Sequence, residues 1–86
     1  MLNVMLSRHV KVETMEKAIN FISATHYIED RDLIEKTLRD CQDPSIEVKL
    51  TKRLTVSSFK NKNETCFKLD VGTTKGIVLS LPTSAF

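Results

Sequence analysis

The chain has 86 residues, with 13 lysines and arginines against 11 aspartates and glutamates, for a formal net charge of +2. This length suits one small domain with a thin core and excludes a multidomain enzyme. A hydrophobic content of 41% with two glycines and two prolines excludes a disordered tail or a fibrous repeat. The expectation is a single compact domain over residues 1–86.

Leu2, Val4 and Leu6 alternate with Asn3, Met5 and Ser7, a period of two that predicts a first strand prolonged through Val10 and Val12. The apolar stretch Met1–Leu6 is short for an export leader, and Arg8 and Lys11 follow it instead of preceding it, so it reads as a strand. Thr14 stands where a helix cap belongs, and Met15, Ala18, Ile19 and Ile22 repeat at helical spacing, which predicts a helix over 15–26. His26-Tyr27-Ile28-Glu29 breaks that pattern. Asp30 then caps a second helix that buries Ile34, Leu38 and Cys41, with Leu33 at the edge of the stripe. It should end by Asp43, because a residue preceding proline disfavours helical geometry. Asp32 with Lys36 and Glu35 with Arg39 are acid-before-base pairs one turn apart and mark a solvated outer face.

After Pro44 the period changes to two and stays there. Ile46, Val48 and Leu50 point one way, and Leu54 and Val56 continue after Thr51-Lys52-Arg53. Thr65, Phe67, Leu69 and Val71 follow the turn Asn61-Lys62-Asn63, and Ile77, Leu79 and Leu81 follow a connection over Gly72-Thr73-Thr74-Lys75-Gly76. Phe59 is out of phase with Leu54 and Val56, so either a bulge re-aims it or it is exposed near the hairpin tip. The predicted fold is α+β in the order β-α-α-β-β-β-β: one N-terminal strand, then two helices on one face of a mainly antiparallel three- to four-stranded sheet.

The residues that could carry chemistry are scattered. His9, His26, Cys41 and Cys66 show none of the paired spacing of a zinc site, so neither metal nor cofactor is expected. The two cysteines are expected to be reduced thiols. Ser7 with His9, or Cys41 with His26, supplies a nucleophile and a base but no strained-turn glycine to present them, and no catalytic residue is assigned. Gly72 and Gly76 frame a loop between two strands, without the helix N-terminus that a phosphate site needs. No apolar run reaches membrane-span length, and a cytoplasmic protein is expected.

Charge is unevenly distributed. Residues 1–44 carry six basic and eight acidic side chains, a balance of −2, and residues 45–86 carry seven and three, a balance of +4. Lys49, Arg53, Phe59, Lys60, Lys62 and Lys68 are therefore the candidate partner-binding residues, with Lys52 and Lys75 as further cations of the sheet half. The second helix is too acidic for a recognition helix on DNA. The outward strand positions Glu47, Lys49, Thr51, Thr55, Ser57, Cys66, Lys68 and Asp70 hold no ring for stacking on RNA, which leaves Phe59 as the one ring available to it.

The order strand, helix, helix and three or more antiparallel strands, at this length and with a basic sheet, resembles the RelE-like ribonuclease toxins. The resemblance covers most of the chain and lies in element order, and it implies ribonuclease activity as the enzymatic alternative. No catalytic residue is carried over, because the C-terminal Ser80-Leu81-Pro82-Thr83-Ser84-Ala85-Phe86 does not present the basic and aromatic residues expected of such a nuclease.

The leading expectation is a non-enzymatic binding or regulatory module of the inhibitor or adaptor type that bacteria and phages encode. It would dock on a protein partner through its basic sheet half, with RNA bound through the lysines and arginines of residues 49–75 as the alternative. A homodimer is also expected, from the apolar segments Leu2–Leu6 and Leu79–Pro82 if both lie at sheet edges.

Overall fold

The computed structural model describes Arg8–Phe86, with the backbone alone at Thr74 and Lys75. The predicted strand over Leu2–Leu6 lies outside the described residues. The elements are β1 (Arg8–Lys11), α1 (Met15–His26), α2 (Arg31–Asp40), β2 (Val48–Lys49), β3 (Leu54–Asn61), β4 (Glu64–Val71) and β5 (Thr74–Pro82), closed by a 3-10 turn at Thr83–Ala85. They form an α+β fold with the expected element order. The sheet has five strands in the order β1-β5-β4-β3-β2, one more than the upper expectation because β1 joins the same sheet. β1 runs parallel to β5 and the other neighbours are antiparallel. The helix pair carries the chain across one face, from β1 at one edge to β2 at the other. β5 is internal and β1 pairs with it over Ile77–Ser80, so Leu79 and Ser80 are not at a sheet edge, contrary to the expectation.

Local chemistry sets the helix limits. Thr14 Oγ1 accepts the Lys17 N–H at 3.1 Å, and Asp30 Oδ1 accepts the Leu33 N–H at 3.1 Å, so each helix starts on the predicted cap. α1 ends at Tyr27, whose φ of 56° reverses the chain while its N–H donates to Ser23 O. On the outer face of α2 the Glu35–Arg39 pair forms at 2.9 Å, but Lys36 pairs with Asp40 at 2.8 Å and not with Asp32. Both carboxylates lie one turn from Lys36, on either side of it.

The helices bury Ala18, Ile22, Ile34, Leu38 and Cys41 against Val56, Phe67, Leu69, Leu79 and Leu81 of the sheet, all fully enclosed. Phe67 sits centrally and meets the Phe86 ring at 5.9 Å between centroids. Truncation of a buried phenylalanine to alanine typically costs about 3–5 kcal/mol, a large share of a small domain's stability. Ser58 takes an inward position beside these apolar groups and satisfies its hydroxyl by donating to Cys41 O.

Two connections differ from expectation. The strand expected over Ile46 to Leu50 shortens to Val48–Lys49. Asp43 Oδ1 accepts from Ser45 N at 2.9 Å and from Ser45 Oγ at 2.7 Å, and Ile46 N donates to Asp43 O at 2.9 Å, so a local turn keeps Ile46 out of the ladder and exposed. The Gly72–Gly76 connection is a tight turn, with Val71 already paired to Thr74. Gly72 takes φ of +62°, and beyond it Lys75 and Gly76 together oppose Asp70 in a bulge. A β-carbon at Gly76 would lie 2.2 Å from Leu69 O, so only glycine fits this approach.

Candidate binding face of the sheet

Strand alternation gives the sheet a second face, turned away from the helices. Register fixes its rows. Lys49, Thr55 and Asp70 form one; Ser57, Lys68, Val78 and His9 the next; Phe59, Cys66, Ser80 and Lys11 the third. The β3–β4 register runs without a bulge from Leu54↔Val71 to Asn61↔Glu64, so Phe59 is out of phase simply because it belongs to this face. Phe59 is 37% exposed, which resolves the sequence alternatives in favour of exposure. It also corrects the expectation that the outward positions hold no ring.

The middle of this face is made of small groups. Cys66 and Ser80 are buried although no helix among the described residues covers them. Ser80 Oγ donates to Cys66 Sγ at 3.2 Å, and His9 Nε2 shares a hydrogen bond of 2.5 Å with Ser80 Oγ. Lys68 places its Nζ 5.7 Å from the centroid of the Phe59 ring. Lys11 pairs with Glu64 at 3.7 Å across β5, and Asp70 Oδ1 accepts the Gly76 N–H at 3.4 Å. Glu64 is thus ion-paired, Asp70 accepts only a backbone N–H, and Lys49 and Lys68, like Glu47 beside Lys49, are exposed or project into solvent with no ion pair among the described residues. The face mixes three lysines, Lys11, Lys49 and Lys68, with the acids Glu47, Glu64 and Asp70, and carries one half-exposed ring.

The six predicted residues do not form one patch. Lys49, Phe59 and Lys68 share the helix-free face. Lys60 turns to the helix side, where its Nζ donates to Thr65 Oγ1 at 3.2 Å. Lys62 forms the β3–β4 turn at φ of 52°. Arg53 stands at the other end of β3 and accepts the Gly72 N–H on its carbonyl at 2.8 Å. Eight strand residues separate Arg53 from Lys62, about 30 Å at the usual rise. The Lys75 side chain lies outside the described residues. Sequence reasoning missed His9, Lys11 and Ser80, which meet only because β1 pairs with a strand some 70 residues away.

The Cys41–His26 pairing considered from sequence is not formed. Ser7 lies outside the described residues, and His9 bonds Ser80. Cys41 is enclosed in the helix-side core, where its Sγ donates to Val56 O at 3.5 Å and burial pushes the thiol pKa up. Cys66 is on the opposite face, so the two free thiols are separated by the sheet. His26 closes α1 with Nε2 buried and unpartnered, and burial holds its pKa below the ordinary histidine value. Among the described residues no three His, Cys, Asp or Glu side chains gather as a metal site, and no helix is long and apolar enough to cross a membrane. A shallow depression lined by Asp32, Glu35, Lys36, Arg39 and Asp40 belongs to α2 alone and is a gap between side chains on one helix. No protein-family model, curated protein or solved structure matches this chain.

Proposed function

We propose that this chain is a small non-enzymatic binding module, an inhibitor or adaptor of bacterial or phage type acting in the cytoplasm, and that its helix-free sheet face docks on an acidic protein surface. The observation that carries this reading is the Phe59–Lys68 pair, with Lys49 and Lys68 exposed on the same face and in no ion pair among the described residues. An aromatic ring among lysines supplies apolar area at the centre of a contact and charge at its rim, an arrangement suited to an acidic protein. A face without a cleft is better suited to a macromolecule than to enclosing a small substrate.

RNA is the second reading, favoured by the same ring, since bases stack on exposed aromatics beside lysines. A single half-covered ring and few free cations make it the weaker of the two. Incubation of the pure protein with labelled RNA, followed by native and denaturing gels, separates the readings. The account expects neither a shift at physiological salt nor cleavage. A robust shift supports RNA binding, with affinity falling steeply as salt rises. Cleavage that follows the protein through purification supports a ribonuclease.

A further inference from the structure

The most exposed large hydrophobic side chain among the described residues is not on the sheet. Tyr27, at the α1–α2 turn, is 91% exposed, and its backbone stands at φ of 56°. Glycine adopts this left-handed conformation freely, whereas a β-carbon is penalised there. A tyrosine here gives up backbone stability and buries almost no ring area in return. Strain of this kind accumulates where a side chain has a task outside the fold.

The turn is nonetheless fixed. Ser23 O accepts the N–H groups of both Tyr27 and Ile28, the latter at 3.1 Å, and Ser23 Oγ donates to Ile28 O at 2.6 Å. Arg31 at the start of α2 donates to Asn20 Oδ1 of α1, tying the two helices across the turn. A ring on a backbone held this way loses little freedom on binding, and for that reason rigid tyrosines serve as interface anchors. Around it acids outnumber bases, with Arg31 the one cation among Glu29, Asp30 and Asp32. Glu29, Asp30 and Asp32 are exposed, and none of the three is in an ion pair among the described residues. Leu33, 41% exposed, adds apolar surface on the first turn of α2.

We infer that the α1–α2 turn is a protein-docking site in which Tyr27 is the anchor, and that its partner presents an apolar pocket rimmed by lysine or arginine. The inference rests on the turn alone and not on the reading of the sheet face, which lies on the other side of the sheet. Together the two sites make the chain a bridge between an acidic and a basic partner surface.

The test is photocrosslinking, with benzoylphenylalanine placed at Tyr27 in the full chain inside the cells that make it, and at exposed Glu16 of α1 as control. The expected result is one major protein adduct from position 27 and not from 16. Its crosslinked segment contains apolar residues flanked by lysine or arginine, and the double reversal Glu29→Lys with Asp32→Lys lowers its yield at least tenfold. With that partner purified, Tyr27→Gly weakens binding at least tenfold while raising the melting midpoint by about 4 °C, so loss of binding is not loss of fold. The proposal is overturned by no adduct above control, by an adduct indifferent to charge reversal, or by an adduct to an acidic segment, to nucleic acid or to a second copy of the chain. Unchanged binding by Tyr27→Gly overturns it equally.

Discussion

Lys68 is paired directly with Ser57, yet it reaches diagonally along the β3–β4 ladder and sets its Nζ 5.7 Å from the centroid of the Phe59 ring. Diagonal neighbours on one sheet face are within reach of long and aromatic side chains, and a cation–π contact at an exposed site contributes only about 0.5–1 kcal/mol. Phe59→Ala should therefore lower stability by no more than about 1 kcal/mol in urea denaturation while abolishing capture of the sheet-face partner. A loss several times larger would place Phe59 in the fold and not in an interface.

The two glycines of the β4–β5 hairpin should respond differently. Gly76→Ala forces a β-carbon against Leu69 O and should cost about 1–3 kcal/mol through backbone displacement. Gly72→Ala makes only an ordinary van der Waals contact with Arg53 Nη2, 3.5 Å away, and should cost about 1 kcal/mol for its positive φ. Denaturation midpoints of the two variants give the order directly, and the reverse order would contradict the bulge.

His26 gives the domain a dependence on mild acid. Its folded pKa lies below the ordinary value of 6.5 because of burial, so the unfolded state takes up the proton first. The associated stability is complete above about pH 6.5 and falls as pH drops below it. The end of α1 favours a cation through the helix dipole, but burial outweighs this. Between pH 7 and 5 the melting temperature should fall in the wild type, and fall less in His26→Gln. An identical slope in both proteins would remove His26 from this role.

Sheet geometry sets the thiol chemistry. Cys41 lies under the helices and Cys66 on the other face, both buried. Mild oxidation of the folded protein should leave both thiols titratable after denaturation, with slow reaction before it. Rapid formation of an internal disulfide would contradict the strand register.

Periodicity made most of the fold legible. Thr14 and Asp30 mark the helix starts, and the alternation of Leu54 with Val56 and of Phe67 with Leu69 marks the inward face of β3 and β4. What was not legible came from long-range or non-local effects. The pairing of β1 with β5 determines whether Leu79 and Ser80 lie at an edge or in the sheet interior, and no local pattern encodes it. The bulge opposite Asp70 turns an apparent five-residue loop into strand, and the turn at Asp43 and Ser45 removes Ile46 from β2. In the candidate site, alternation identified Lys49 and Lys68 as outward. It gave Lys60 no separate direction, although Lys60 shares the inward parity of Val56 and Ser58. The presentation of Tyr27 depends on a left-handed turn that sequence registers only as a break between helices.

The central claim is that the helix-free face holds an acidic protein. Its most direct measurement is quantitative capture from nuclease-treated extract of the native cells, comparing the wild-type chain with Lys49→Glu/Lys68→Glu and with Lys60→Glu/Lys62→Glu, whose charges lie off that face. The account predicts a stoichiometric protein complex with the wild type, lost in the first variant and largely retained in the second. Recovery of the wild type without a partner, or equal capture by all three chains, would contradict it.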